Sequence, residues 1–265
     1  MRRLLVGAAA VLLVTLAVAG LLVVNATRLT SRQPPPDALP NVTPIELNET
    51  GAVERLSEAI RFRTVTADSE ASSAPQTFVD LQDFLNRSYP LVAKNLPVEI
   101  VAGHALLYTW RGRRSDLPPV ILTAHQDVVP AGDPSDWTRP PFDGVVADGS
   151  IWGRGTLDDK SGLLALFEAI ESLLGRGIAP ERTIYLGLGD NEEGGALDNG
   201  ASAIARALAA RGVSHATVLD EGGWIYEQIP GVTAHVALIG IAEKGYLSLQ
   251  LSVAGAGGHS SMPPA

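Results

Sequence analysis

The sequence predicts an α/β protein with a mainly parallel mixed sheet flanked by helices, and three observations carry that prediction. Short apolar runs alternate with helical apolar stripes, as in a sheet covered on both faces. Imidazole and carboxylate side chains follow directly on several strand-like runs, at the carboxyl ends where open α/β sheets place their functional crevice. Near residue 243 the pattern changes to strict apolar alternation, which marks the first strand of a second domain.

Arg2 and Arg3 precede an uncharged apolar run over 4–24. At roughly 1.5 Å per residue it can cross a hydrocarbon core of about 30 Å. The apolar core of a signal peptide is only about 7–15 residues, so an uncleaved anchor is favoured. Val24-Asn25-Ala26 is still an acceptable cleavage site, and a secreted product is the alternative. Residues 1–26 are thus read as anchor or signal, with the arginines cytoplasmic and the remainder extracytoplasmic. Residues 27–45, containing Pro34, Pro35, Pro36 and Pro40, read as an extended stalk. Asn41, Asn48 and Asn86 head glycosylation triplets that matter only in a host that uses them.

The catalytic domain is expected over 46–243. Helical spacing covers 53–62 and 78–89, strands are expected at 98–101, 106–110 and 120–124, and a broad apolar helical stripe covers 161–174 before Gly175 and Gly177. A strand at 183–188, a helix at 201–210 and a strand at 217–219 follow. Residues 246–253 alternate as a half-exposed strand does, and such a strand cannot bury its apolar face alone. The 265-residue sequence is therefore expected to end inside the second domain, at 244–265.

Apolar residues make up 46% and charged residues 18%, a globular composition. The net charge of −9 supplies no basic footprint, so nucleic acid is excluded as a partner. There is no cysteine, so any metal must take imidazole and carboxylate ligands.

His125 and Asp127, two apart at a strand end, share one face. That suits an imidazole on a metal with a carboxylate orienting it, although a surface His–Asp pair has the same spacing. Asp158, Asp159 and Lys160 head the amphipathic helix; a carboxylate there can bridge two cations about 3.5–4 Å apart or simply complement the helix dipole. Of Glu192 and Glu193, one can bind metal while the other holds the attacking water as general base. Asp220, followed by Glu221, Gly222 and Gly223, can supply a further oxygen. Each signal is weak alone, but in succession they point to a two-metal hydrolase.

Those motifs resemble a known family. LTAHQDVVP at 122–130, Trp137 with PPFDG at 140–144, IWGRGTLDDK at 151–160, Glu192 with Glu193, LDEGG at 219–223 and GGHSSMP at 257–263 are similar to the co-catalytic zinc peptidases and deacylases. That family includes acetylornithine deacetylase, succinyl-diaminopimelate desuccinylase, aminoacylase and the glutamate carboxypeptidases. The branch most resembled holds carboxypeptidase S (Gly-X carboxypeptidase) and N-fatty-acyl-amino acid synthase/hydrolase. The resemblance implies two Zn²⁺ ions per complete site and hydrolysis of peptides or N-acyl amino acids with a free carboxyl end. It implies His125 and Asp220 on one zinc, Asp158 bridging, Glu193 on the other, Glu192 as general base and Asp127 behind His125. His259 would serve the tetrahedral intermediate of a neighbouring subunit in a homodimer. The Asp158–Asp159 peptide would be cis. The resemblance also implies that 244–265 start an inserted α+β dimerisation domain and that a second-zinc histidine and the substrate-carboxylate residues lie beyond Ala265, so the sequence is expected to be a fragment of a longer enzyme. His104, His215 and His235 match no ligand motif. An aminopeptidase of the same fold and a non-catalytic membrane-tethered module are the rival readings.

Overall fold

The computed structural model describes residues 2–28, 30, 35, 38, 44–66, 74–194, 200–222, 225–240, 249, 251 and 252. The chain divides into two compact units, Met1–Glu46 and Leu47–Ala265. In the first, α1 (Arg2–Thr27) contains the window Ala9–Thr27, with mean hydropathy 2.5 and no part of it buried. By length and composition it can cross a membrane, and a signal sequence would have the same properties.

The second unit begins with α2 (Glu49–Ile60), α3 (Pro75–Ser88) and the short α4 (Pro90–Asn95). The Asn48 side chain accepts the Gly51 N–H at 3.0 Å, which starts α2 before the apolar stripe that predicted it. Prolines at the first turns of α3 and α4 fit positions whose N–H has no helical partner. The Leu91 and Val92 N–H groups of α4 donate to Glu171 at 3.0 and 2.9 Å, so a distant carboxylate caps this helix. No apolar period predicted α4, because six residues are too few to show one.

Strands β1 (Val98–Ala102), β2 (Ala105–Trp110) and β3 (Val120–His125) follow, then β4 (Val145–Ala147), β5 (Ser150–Trp152) and α5 (Lys160–Gly175). Next come β6 (Ile184–Gly189), α6 (Gly200–Ala210), β7 (Thr217–Leu219), β8 (Ile225–Tyr226) and β9 (Val236–Ala237). The main sheet has five strands in the order β1-β2-β6-β3-β7. β3 runs parallel to β6 and β7, while β1 and β2 form an antiparallel edge. This is the mixed sheet flanked by helices that the sequence predicts. The β4–β5 hairpin is additional, and the strand expected over 246–253 lies largely outside the described residues.

Alternation along β2 feeds two cores. Leu106, Tyr108 and Trp110 face a large cluster with Leu163, Leu164, Phe167 and Ile170 of α5; Ala105 and Leu107 face Ile121 and the α6 residues Ile204 and Leu208. Each fully buried large side chain contributes roughly 1.5–3 kcal/mol. Within the larger layer Arg55 makes a two-pronged ion pair with Glu168 at 2.6 and 2.8 Å, and Tyr89 Oη donates to the same carboxylate at 2.9 Å.

Candidate metal centre

Register places the site. In the parallel pair, His125 of β3 lies opposite Gly189 of β6, and Gln126 N donates to Gly189 O at 2.8 Å. Leu122 lies opposite Leu219, the last residue of β7. The carboxyl ends of β3, β6 and β7 therefore open on one side, and Asp158, just ahead of α5, reaches the same place.

The His125 ring is buried. Its Nε2 lies 2.8 Å from Asp158 Oδ1 and 3.4 Å from Glu221 Oε2. Its Nδ1 lies 2.9 Å from the Asp127 carbonyl and 3.4 Å from Asp127 Oδ1. One ligand atom each from His125, Asp158 and Glu221 falls within a 4.8 Å cluster; so does one each from His125, Glu192 and Glu193. Both groups share the imidazole.

Asp127 is fully buried and works in two directions. Besides facing His125, it accepts the Glu192 N–H on Oδ1 at 3.1 Å and the Glu193 N–H on Oδ2 at 3.0 Å. The Thr66 hydroxyl also donates to Oδ2. Opposing its burial, the His125 ring, then the Thr66 hydroxyl and the Glu192 N–H, hold the Asp127 carboxyl below the usual range. On the other flank, the Asp158–Asp159 peptide is cis, as the resemblance implies, and Asp159 Oδ2 accepts the His125 N–H at 3.4 Å. Lys160 is buried, with Nζ donating to the Ala59 and Phe62 carbonyls at 3.0 and 2.5 Å. Burial lowers this ammonium to about 7.

The cluster carries surplus negative charge. Burial, with repulsion from Asp158, Asp159 and Glu192, pushes Glu221 up to about 7. Burial, Asp158 and Glu192 raise Glu193 as well. Burial would lower His125, yet Asp127, Asp158 and Glu221 together hold it up at about 10. A divalent cation would supply the positive charge these groups otherwise draw from protons. One imidazole nitrogen among carboxylate oxygens, with no thiolate, suits such an ion. A cavity of about 500 Å³ lined by Leu157, Asp158, Asp159, Ser161, Gly162, Glu221 and Gly222 opens on the cluster.

Of the sequence-predicted residues, the structure brings together His125, Asp127, Asp158, Glu192 and Glu193. Asp220 is placed elsewhere: its Oδ1 accepts from Thr123 Oγ1 at 2.6 Å and from Glu221 N at 3.0 Å. It continues the β7 register beside Thr123 and lines an apolar cavity under α6. Glu221, one residue later, is the member of the acidic pair whose carboxylate faces His125. His259 lies outside the described residues. His104 stacks on Phe78 with ring centroids 5.1 Å apart, and among the described residues neither it, His215 nor His235 joins a cluster.

Residues 121–252 match the model of peptidase family M20/M25/M40. The chain is 38% identical over 253 residues to the "Probable carboxypeptidase S-like 2" of Dictyostelium discoideum, covering 92% of this chain and 48% of that protein. It is 40% identical over 214 residues to the human "N-fatty-acyl-amino acid synthase/hydrolase PM20D1", covering 80% and 42%. To "Carboxypeptidase S" of Saccharomyces cerevisiae it is 41% identical over 227 residues, covering 80% and 38%. The chain thus spans about half the length, or less, of these relatives. Human carnosine dipeptidase 1 shares the fold, with a TM-score of 0.52 at 20% identity, covering 67% of this chain and 39% of that one.

Proposed function

We propose, for a chain that carries a peptidase family M20 domain, that the whole protein is a di-zinc hydrolase of amide bonds. Its substrates are peptides or N-acyl amino acids with a free carboxyl end. The observation that carries this reading is the convergence of Asp158, Glu192, Glu193 and Glu221 on one buried imidazole, His125. In this reading His125, Asp158 and Glu221 hold one ion, and Glu193 and Asp158 contribute to a second. The resemblance implies Asp220 for this ion, and Glu221, the next residue, is the carboxylate that faces His125. When bound, zinc polarises the scissile carbonyl and acidifies a water held against it.

The chain's own residues do the rest. Glu192 takes a proton from the attacking water and delivers it to the departing amine nitrogen. Asp127 keeps that glutamate in place through its backbone N–H and keeps the His125 ring turned toward the ions. His259 keeps the role the resemblance gives it, serving the site of a neighbouring subunit in a homodimer. α1 anchors the protein with its catalytic part outside the cytoplasmic membrane; cleavage after Ala26 would release it instead. The names of the relatives, carboxypeptidase S and N-fatty-acyl-amino acid synthase/hydrolase, support the substrate class.

The test uses the full-length protein. Glu192→Gln should keep its zinc and lose about 10²–10⁴-fold in hydrolysis of an N-acyl amino acid, the range that a general base contributes. Near-wild-type turnover by that variant would remove Glu192 from the mechanism. Amidation of the substrate carboxyl should abolish cleavage, and equal cleavage of the amide would instead favour an aminopeptidase.

A further inference from the structure

We propose that Thr66 is a positioning residue of the metal centre, its hydroxyl fixing the Asp127 carboxylate that aims His125 and holds the Glu192–Glu193 turn. This rests on the metal-centre reading above and extends it to a residue from a different part of the chain.

The Asp127 carboxylate meets four donor groups. Glu192 N–H and His125 Nδ1 lie on the Oδ1 side, and Glu193 N–H and the Thr66 hydroxyl lie on the Oδ2 side. With two partners on each oxygen, rotation about the carboxylate axis is blocked. Without the hydroxyl, Oδ2 keeps one backbone donor from an irregular turn, and nothing else in the described structure holds that side. The rotation of Asp127 sets both the His125 ring and the backbone of the two glutamates, so a change there reaches both candidate ion groups at once.

The Thr66 hydroxyl is itself held in place. Residues 64–66 run parallel to 126–128: Val65 bridges Val128, Val128 N donates to Thr64 O at 2.9 Å, and Thr66 N donates to Val128 O at 3.1 Å. Thr64 Oγ1 also donates to Gln126 O at 2.6 Å. This short ladder fixes the backbone of Thr66 relative to Asp127. The glutamate turn packs on Thr66 from the other side: a Cβ on Gly194 would stand 3.2 Å from Thr66 Cβ and 2.0 Å from Asn191 Oδ1. Thr66 therefore touches the clamp and the turn it clamps. Ligand-orienting groups outside the metal's own ligands typically change affinity when removed.

The experiment titrates the purified chain with cobalt(II), followed by its visible absorption, in wild type, Thr66→Val and Thr66→Ser, with thermal melting run in parallel. Val preserves shape and β-propensity but carries no donor, and Ser restores the donor. Thr66→Val should bind cobalt roughly 10-fold more weakly, the lower end of the loss seen for outer partners of ligating histidines, with an altered absorption band. Thr66→Ser should recover both. Wild-type affinity in Thr66→Val, or a Thr66→Ser variant as weak as Thr66→Val, would overturn the proposal. Lower melting with cobalt affinity and spectrum unchanged would also overturn it, leaving Thr66 a structural role only. If Thr66→Val fails to fold, Thr66→Ala takes its place under the same criteria. No cobalt binding by the wild type would defeat the metal-centre reading, and this proposal with it.

Discussion

Gly162→Ala sets two effects of opposite sign against each other. Gly162 is the third residue of α5, and inside a helix Ala ordinarily stabilises by about 1 kcal/mol relative to Gly. Here, however, a Cβ would stand 2.1 Å from Asp159 Oδ1 and 2.9 Å from its Cγ. Asp159 is only 3% exposed, and its carboxylate is held by backbone N–H groups of His125 and Gly162. To reach ordinary contact it must retreat by more than about 1 Å, which strains or breaks those bonds. Overpacking of this kind costs about 1–3 kcal/mol, so the clash outweighs the propensity gain by up to about 2 kcal/mol. For a domain of this size that lowers Tm by a few degrees, at about 2–4 °C per kcal/mol. Thermal melting by circular dichroism reads the stability, and cobalt titration reads the loss of support behind His125. A Gly162→Ala chain that melts higher than wild type and binds cobalt equally well would refute the close packing of Asp159 on α5.

Other outcomes follow from the same structure. Phe167 is 1% exposed, tilted against Tyr89 at 5.1 Å and edge-on to Tyr108 at 5.5 Å, so Phe167→Ala should cost about 3–5 kcal/mol, read from the urea midpoint. Burial and the Glu168 carboxylate raise Tyr89, and burial alone pushes Tyr108 up to about 12. A raised folded pKa is stabilising below the unfolded value of about 10 and lost above it, so stability should fall as pH climbs past 10. Ultraviolet titration should find Tyr89 and Tyr108 delayed, and Tyr89→Phe should remove one of those two delayed steps. Because His125 is the one imidazole that the candidate clusters among the described residues contain, zinc titration of this chain should show a single tight ion, and His125→Ala should abolish it; two equally tight ions would contradict this dependence on one imidazole.

The sequence made some of this legible and hid the rest for physical reasons. β3 and α5 were readable because an apolar run ending in His125 and a stripe through Leu163, Phe167 and Ile170 are governed by burial, which leaves a periodic trace. α4 and the β4–β5 hairpin were not, because elements of six and three residues depend on partners such as Glu171 that lie far away in the chain. His125, Asp127, Asp158, Glu192 and Glu193 could be picked out because each follows a strand or heads a helix. Which of Asp220 and Glu221 faces His125 could not be read that way. It depends on which of two adjacent carboxylates leaves the β7 register, and Thr123, on the neighbouring strand, donates to Asp220. Thr66 gave no signal, since its partner is 61 positions away.

β3 sits between β6 and β7, and both of those strands come after it in the chain. A nascent chain therefore carries His125 well before Glu192, Glu193 or Glu221 has been synthesised, and an early cation meets a lone imidazole beside Asp127. The carboxylates gather around His125 only when two parallel crossovers have closed, which are slow, long-range steps. An ion held by that cluster would be captured at the end of folding. An interaction absent from the transition state leaves the folding rate nearly untouched and slows unfolding instead. Bound metal in this fold should act as a latch on an already ordered sheet: chelation would shorten the lifetime of the native state without changing how quickly it is reached.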